Sequence, residues 1–83
     1  MWQESKLINF LYEVNCLLDF YESVSISLEK FRQEFAPESQ ASPLSFKAMT
    51  RRKLKQLFKD LNLNLIIFIR NGKIIFKKEV VMS

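Results

Sequence analysis

Two apolar runs meet at Asn71-Gly72: Leu65-Ile66-Ile67-Phe68-Ile69-Arg70 before it and Lys73-Ile74-Ile75-Phe76-Lys77-Lys78 after it. A two-residue type I′ connection needs positive φ at both positions, which Asn and Gly tolerate, so this segment reads as a β-hairpin. The turn also sets the register, with Arg70 opposite Lys73, Ile69 opposite Ile74, Phe68 opposite Ile75 and Ile67 opposite Phe76. Side chains alternate across a strand. One face therefore presents Leu65, Ile67, Ile69, Ile74 and Phe76, and the other presents Ile66, Phe68 and Ile75 fringed by Arg70, Lys73 and Lys77. A hairpin covering a core needs only one apolar face. The second is either covered by the first helix or by the Val80-Val81-Met82 tail, or it is an oligomer interface, because an exposed patch of this kind is costly.

Upstream the apolar period lengthens to that of helices. Over residues 4–22, Leu7, Phe10, Val14, Leu17 and Tyr21 recur at steps of three and four, with Leu11 and Leu18 widening the stripe. The spacing fits core packing, and over about two heptads it also fits a dimer seam. Val24-Ser25-Ile26-Ser27 alternates as a short strand does, giving a possible third strand near 24–26. Ser27 is a good N-cap for a helix from Leu28 to about Ala36, with Leu28, Phe31 and Phe35 on one face, and Pro37 stops it. Residues 37–42 have loop composition. Ser42-Pro43 is an N-cap and first-turn pair for a helix running to about Leu61. Its apolar stripe is Phe46, Met49, Leu54, Leu57, Phe58 and Leu61. Arg51, Arg52, Lys55 and Lys59 fall on the opposite side, with Lys47 at the margin. Asn62 or Asn64 closes this helix as a left-handed residue.

Charge divides between the two halves of the chain. Residues 43–83 carry ten basic side chains against Asp60 and Glu79, a net of +8, while residues 1–42 carry a net of −4. The positive half is a basic helix feeding a basic-edged hairpin, a plausible apparatus for gripping a phosphate backbone. Its alternative is a solvated helix surface, with hairpin charges that protect the sheet edge from aggregation.

Other chemistry finds little support. A chain of this length makes one domain, residues 1–83, with a modest core and no room for a deep catalytic cleft. The absence of His removes His-dependent triads, His metal sites and the commonest general base. Glu4, Glu13, Asp19 and Glu22 lack metal-ligand or paired-carboxylate spacing, and no phosphate loop or nucleophile elbow is present. No enzyme activity, cofactor, metal or small-molecule substrate is expected. Trp2 and Tyr12 read as staples of the first helix to the core, with anchors for a partner as the alternative. Cys16, the single cysteine, allows no internal disulfide and reads as an inert, half-buried thiol. The longest apolar run, Leu65 to Ile69, is far short of the ~20 residues that span a bilayer. With no basic-then-apolar leader pattern, the expectation is an intracellular protein, cytoplasmic or nuclear, with no membrane partner. Usage rich in Lys, Ile, Asn and Phe is what AT-rich viral, phage or mobile-element genomes tend to encode.

The element order of helix, short strand, helix, longer helix and hairpin resembles that of a winged helix-turn-helix domain. Val24–Ile26 resembles its short strand, residues 28–36 the helix before the turn, residues 43–61 the recognition helix and residues 65–78 the wing. The Pro37–Ser42 connection is longer than the 3–4-residue turn of a simple helix-turn-helix. The Ser-preceded helix, the Pro43-Leu44-Ser45 start and the basic helix are also similar to winged domains appended to virus- and phage-type replicative primase-helicases. The resemblance implies a small α+β domain of three helices plus a C-terminal hairpin. It also implies double-stranded DNA as partner, bound by a transcriptional regulator or replication accessory factor. Lys47, Arg51, Arg52, Lys55 and Lys59 would then meet the major groove, and Arg70, Asn71 and Lys73 the adjacent backbone or minor groove. Duplex DNA ranks above RNA because the aromatic residues are core-spaced. A homodimer through Ile66, Phe68 and Ile75 is a secondary expectation. The rival is a protein-interaction module of the same fold that binds an acidic partner surface.

Overall fold

In the computed structural model, which describes residues 2–80, Asn71 and Gly72 take φ of 51° and 71°, as the turn requires. Strands β2 (Leu65–Arg70) and β3 (Lys73–Lys78) pair antiparallel in the expected register, from Arg70 opposite Lys73 to Leu65 opposite Lys78. The short strand β1 (Val24–Ser27) adds to the other edge of β3, with Val24 opposite Phe76 and Ser27 opposite Lys73. The sheet order is β1-β3-β2. Helices α1 (Glu4–Leu17), α2 (Leu28–Phe35) and α3 (Pro43–Asp60) complete a small α+β domain. Among the described residues, no helix is long and apolar enough to cross a membrane.

Local sequence signals set most of the helix ends. The Ser27 side chain accepts from the Lys30 amide at 3.0 Å, capping α2 directly out of β1. Ser42 accepts from the Ser45 amide at 3.3 Å, with Pro43 at the first helical position of α3. At the other end of α3, Asn62 is left-handed at φ 56°. The Leu63 amide reaches the Phe58 carbonyl at 2.8 Å, and the Asn62 amide reaches Lys59 at 3.2 Å. This paired closure absorbs carbonyls that would otherwise lack donors and redirects the chain into β2.

The core lies between the helices and one face of the sheet. Leu7, Leu11, Val14, Phe31, Phe46, Leu54, Ile74 and Phe76 are essentially inaccessible to solvent. Aromatic rings link the elements: Trp2 with Phe46 at 5.7 Å, Phe10 with Phe35 at 5.0 Å, Phe10 with Phe76 at 5.8 Å, Phe58 with Phe76 at 6.5 Å. Trp2 also meets Phe31 edge-on at 6.0 Å, so it does staple the start of α1 to the core.

Four expectations are corrected. First, α1 ends at Leu17 and not at residue 22. The Asp19 and Phe20 amides bond three residues back, at 3.1 and 3.0 Å, and this tightened turn releases the chain toward β1. The buried stripe is accordingly Leu7, Leu11, Val14 and Leu18, while Leu17 and Tyr21 are exposed. Leu7 and Val14, two members of the dimer seam, are consumed by the protein's own core. Second, Met49 is exposed and Thr50 takes its place inside α3. Third, Cys16 is exposed. Fourth, α1 packs beneath the inner face of the sheet through Phe10 and does not cover Ile66, Phe68 and Ile75. Of the tail offered as an alternative cover, Val80 is exposed, and Val81 and Met82 lie outside the described residues.

Thr50 is fully buried and its Oγ1 has no hydrogen-bond partner among the described residues. A buried hydroxyl without a partner carries its desolvation cost uncompensated. Thr50→Val keeps the shape and removes the hydroxyl. It should raise stability by about 1 kcal/mol, roughly 4–8 °C in Tm for a domain of this size. A calorimetric scan showing an unchanged or lower Tm would mean that the hydroxyl is satisfied in solution.

Candidate nucleic-acid interface

Three ion pairs decide which cations remain available. Lys6 meets Glu34 at 2.9 Å, joining α1 to α2, and its ammonium holds that carboxyl below the ordinary Glu range. Lys53 meets Glu4 at 3.0 Å, joining α3 to the start of α1, and is largely withdrawn from solvent. Lys78 meets Asp19, tying the end of β3 to the turn after α1. The basic half thus loses Lys53 and Lys78 to structural pairs. Among the described residues, Lys47, Arg51, Arg52, Lys55, Lys59, Arg70, Lys73 and Lys77 form no ion pair.

These eight cations fall into two groups. Arg51, Arg52, Lys55 and Lys59 are exposed on the outer side of α3, and Lys47 is half-buried at the margin. Lys47, Arg51, Lys55 and Lys59 stand four residues apart, about 5–6 Å between neighbouring Cβ atoms, and their line is about 18 Å long. Like charges at this spacing repel by roughly 0.2–0.5 kcal/mol per pair, and no acid is interleaved among them. Lys47, Arg51 and Arg52, with Leu44 and Ala48, line one open depression near the start of α3, where Leu44 is 79% exposed.

The second group belongs to the hairpin. Arg70, Asn71 and Lys73 are exposed at its tip. The Gly72 carbonyl accepts from the Leu28 amide at 2.7 Å, which fastens the tip to the first turn of α2. Gly72, Leu28, Pro43 and Phe46 line a common groove, so the tip lies at the end of the molecule where α3 begins. The fold thus brings Arg70, Asn71 and Lys73 toward the Lys47 end of the helical stripe. Lys59 is about 24 Å further along α3 from Pro43. The sequence places Lys77 only in the fringe of the outer hairpin face. Its signal was its parity, since it stands opposite Ile66 and points the same way as Lys73 and Arg70.

Two interface expectations can be placed. Ile66 and Phe68 are 36% and 38% exposed and Ile75 is half-buried, so they form an open, partly apolar sheet face. Tyr12, Phe20 and Tyr21 are exposed around the C-terminal part of α1 and the turn after it. No protein-family model matches this chain, and neither does any curated protein or solved structure.

Proposed function

We propose that this is a non-enzymatic DNA-binding protein with a winged-helix arrangement. In it α3 enters the major groove of duplex DNA and the β2–β3 tip lies on the neighbouring backbone. One observation carries the reading. Within residues 43–83, ion pairing among the described residues uses Lys53 and Lys78 and leaves eight cations, which group on one helix face and one hairpin. The repulsion stored in the α3 stripe is relieved by a polyanion whose duplex carries one charge per ~1.7 Å. A major groove about 12 Å wide admits such a helix. Arg51 and Arg52 then suit guanine edges, the lysines suit phosphates, and exposed Leu44 offers apolar contact to a thymine methyl. A role in transcription or in replication, in a viral, phage or mobile-element setting, belongs to this proposal.

Fluorescence anisotropy with random duplex DNA at several salt concentrations tests it. With about five to seven phosphates neutralised, log K against log salt should fall with a slope of roughly −4.5 to −6. Absence of binding near ~10 μM protein in low salt would sink the proposal.

A second reading, a protein-interaction module that binds an acidic partner or pairs with itself, is favoured by a different surface. Phe20 and Val80 are more than four-fifths exposed, and with Tyr21 they border one open depression whose charges balance, Lys77 and Lys78 against Asp19 and Glu22, so its apolar part favours the self-pairing arm. Light scattering across a concentration series tests the self-association arm.

A further inference from the structure

The outer face of the sheet is a second surface, centred on Phe68 and Ile75, which the duplex proposal does not use. Its outward positions follow from the register: Ser27, Lys73 and Arg70 in one row, Ser25, Ile75 and Phe68 in the next, then Lys77 and Ile66. None of these positions is acidic. Phe68 is 38% exposed, with the Arg70 guanidinium 5.6 Å and the Lys77 ammonium 5.9 Å from its ring centroid. Phe68, Ile75, Arg70 and Lys77 border a single depression. The β1 side of the face carries only the small Ser25 and Ser27, which leaves the Ile75 flank open.

We infer that this face binds a single-stranded nucleic acid, with one or two bases packed on Phe68 and Ile75 and the phosphates held by Arg70, Lys73 and Lys77. The argument is one of complementarity. A second copy of the chain would bring its own Arg70, Lys73 and Lys77 into the same contact, which like-charge repulsion opposes. A single strand supplies both things the face lacks, an anionic backbone and unpaired π-faces, and base–aromatic stacking tolerates any sequence. Arg70 and Lys77 stand within about 6 Å of the Phe68 ring centroid, which places both charges beside the apolar centre of the face. Neither α3 nor its stripe enters this site; Arg70 and Lys73 are shared with the wing of the duplex proposal, and Phe68, which that proposal does not use, tells the two apart.

The test uses the whole protein and a labelled short oligothymidylate, with random duplex DNA and inorganic polyphosphate as separate probes. Phe68→Ala should weaken oligothymidylate binding roughly 5- to 150-fold, the range that stacking of one base gives. It should leave duplex affinity within about twofold and the thermal transition cooperative. Phe68→Tyr should restore the single-strand affinity, whereas Phe68→Leu, which keeps apolar area without a ring, should not. Unchanged oligothymidylate binding by Phe68→Ala overturns the inference, as does wild-type binding no tighter than that of polyphosphate. A wild-type dimer that Phe68→Ala converts to monomer also overturns it, because the face is then a self-interface. Loss of duplex binding with oligothymidylate binding retained would remove the proposed function and leave this site standing.

Discussion

Replacing Arg51, Arg52 and Lys55 together with Glu should abolish duplex binding while leaving the fold intact. The three side chains are exposed and form no ion pair among the described residues, so their loss removes no packing. The change reverses three charges in the middle of the α3 stripe. Against a non-specific Kd of about 10⁻⁴–10⁻⁶ M, losing three phosphate contacts and adding three repulsions should take binding beyond detection. Any residual binding should show a salt slope shallower by about three units. Stability should hold, because surface substitutions away from special features usually stay within about 0.5 kcal/mol. The variant even gains favourable spacings, since Glu at 55 precedes Lys59 by four residues and Lys47 precedes Glu at 51. Unfolding on substitution would mean that this helix face packs against something. Undiminished duplex binding would mean that α3 is not the reading helix.

Phe76→Ala should cost about 3–5 kcal/mol. Phe76 is fully buried on the central strand, with Val24 and Ile67 as its cross-strand partners. Its ring meets Phe10 of α1 and Phe58 of α3, so truncation opens a cavity where three layers meet. At about 0.05–0.15 kcal/mol per residue, a chain of this length has roughly 4–12 kcal/mol of stability in total. The variant should therefore be largely unfolded, or reduced to a small fraction of that stability. Trp2, the single tryptophan, packs against Phe31 and Phe46 and reports the loss in a urea titration followed by fluorescence. A cost below about 1 kcal/mol would mean that the core re-forms around the gap, a collapse that close packing normally prevents. Phe68→Ala on the other face of the same sheet should cost far less, because that ring is already partly in water.

The elements that sequence reading placed well carry their instructions locally. Asn71-Gly72 determines the turn and hence the register of both hairpin strands. Ser27 and Ser42-Pro43 start their helices through their own side chains and backbone, and Asn62 ends α3 by adopting a conformation few residues accept. The errors occurred where periodicity alone was the guide. The stripe of α1 runs through Leu11 and Leu18 rather than Leu17 and Tyr21, because rotation of a helix is set by what it packs against. Thr50 carries a polar hydroxyl, yet its place on the wheel, four residues from both Phe46 and Leu54, puts it inside. The basic stripe of α3 was legible for the complementary reason, since it is the side the core leaves to water.

Sequence alone thus determined the element order, the hairpin register, the helix starts and the polarity of charge along the chain, all written in short-range backbone chemistry and side-chain period. Tertiary structure decided which cations stay free. Lys53 and Lys78 find Glu4 and Asp19 only because folding brings together residues far apart in the chain. It also decided that the helices take up the inner face of the sheet, through Phe10 and Phe58 against Phe76, and leave Phe68 open beside Arg70 and Lys77. Burial and charge pairing depend on long-range neighbours, and a period along one strand or helix carries no information about those.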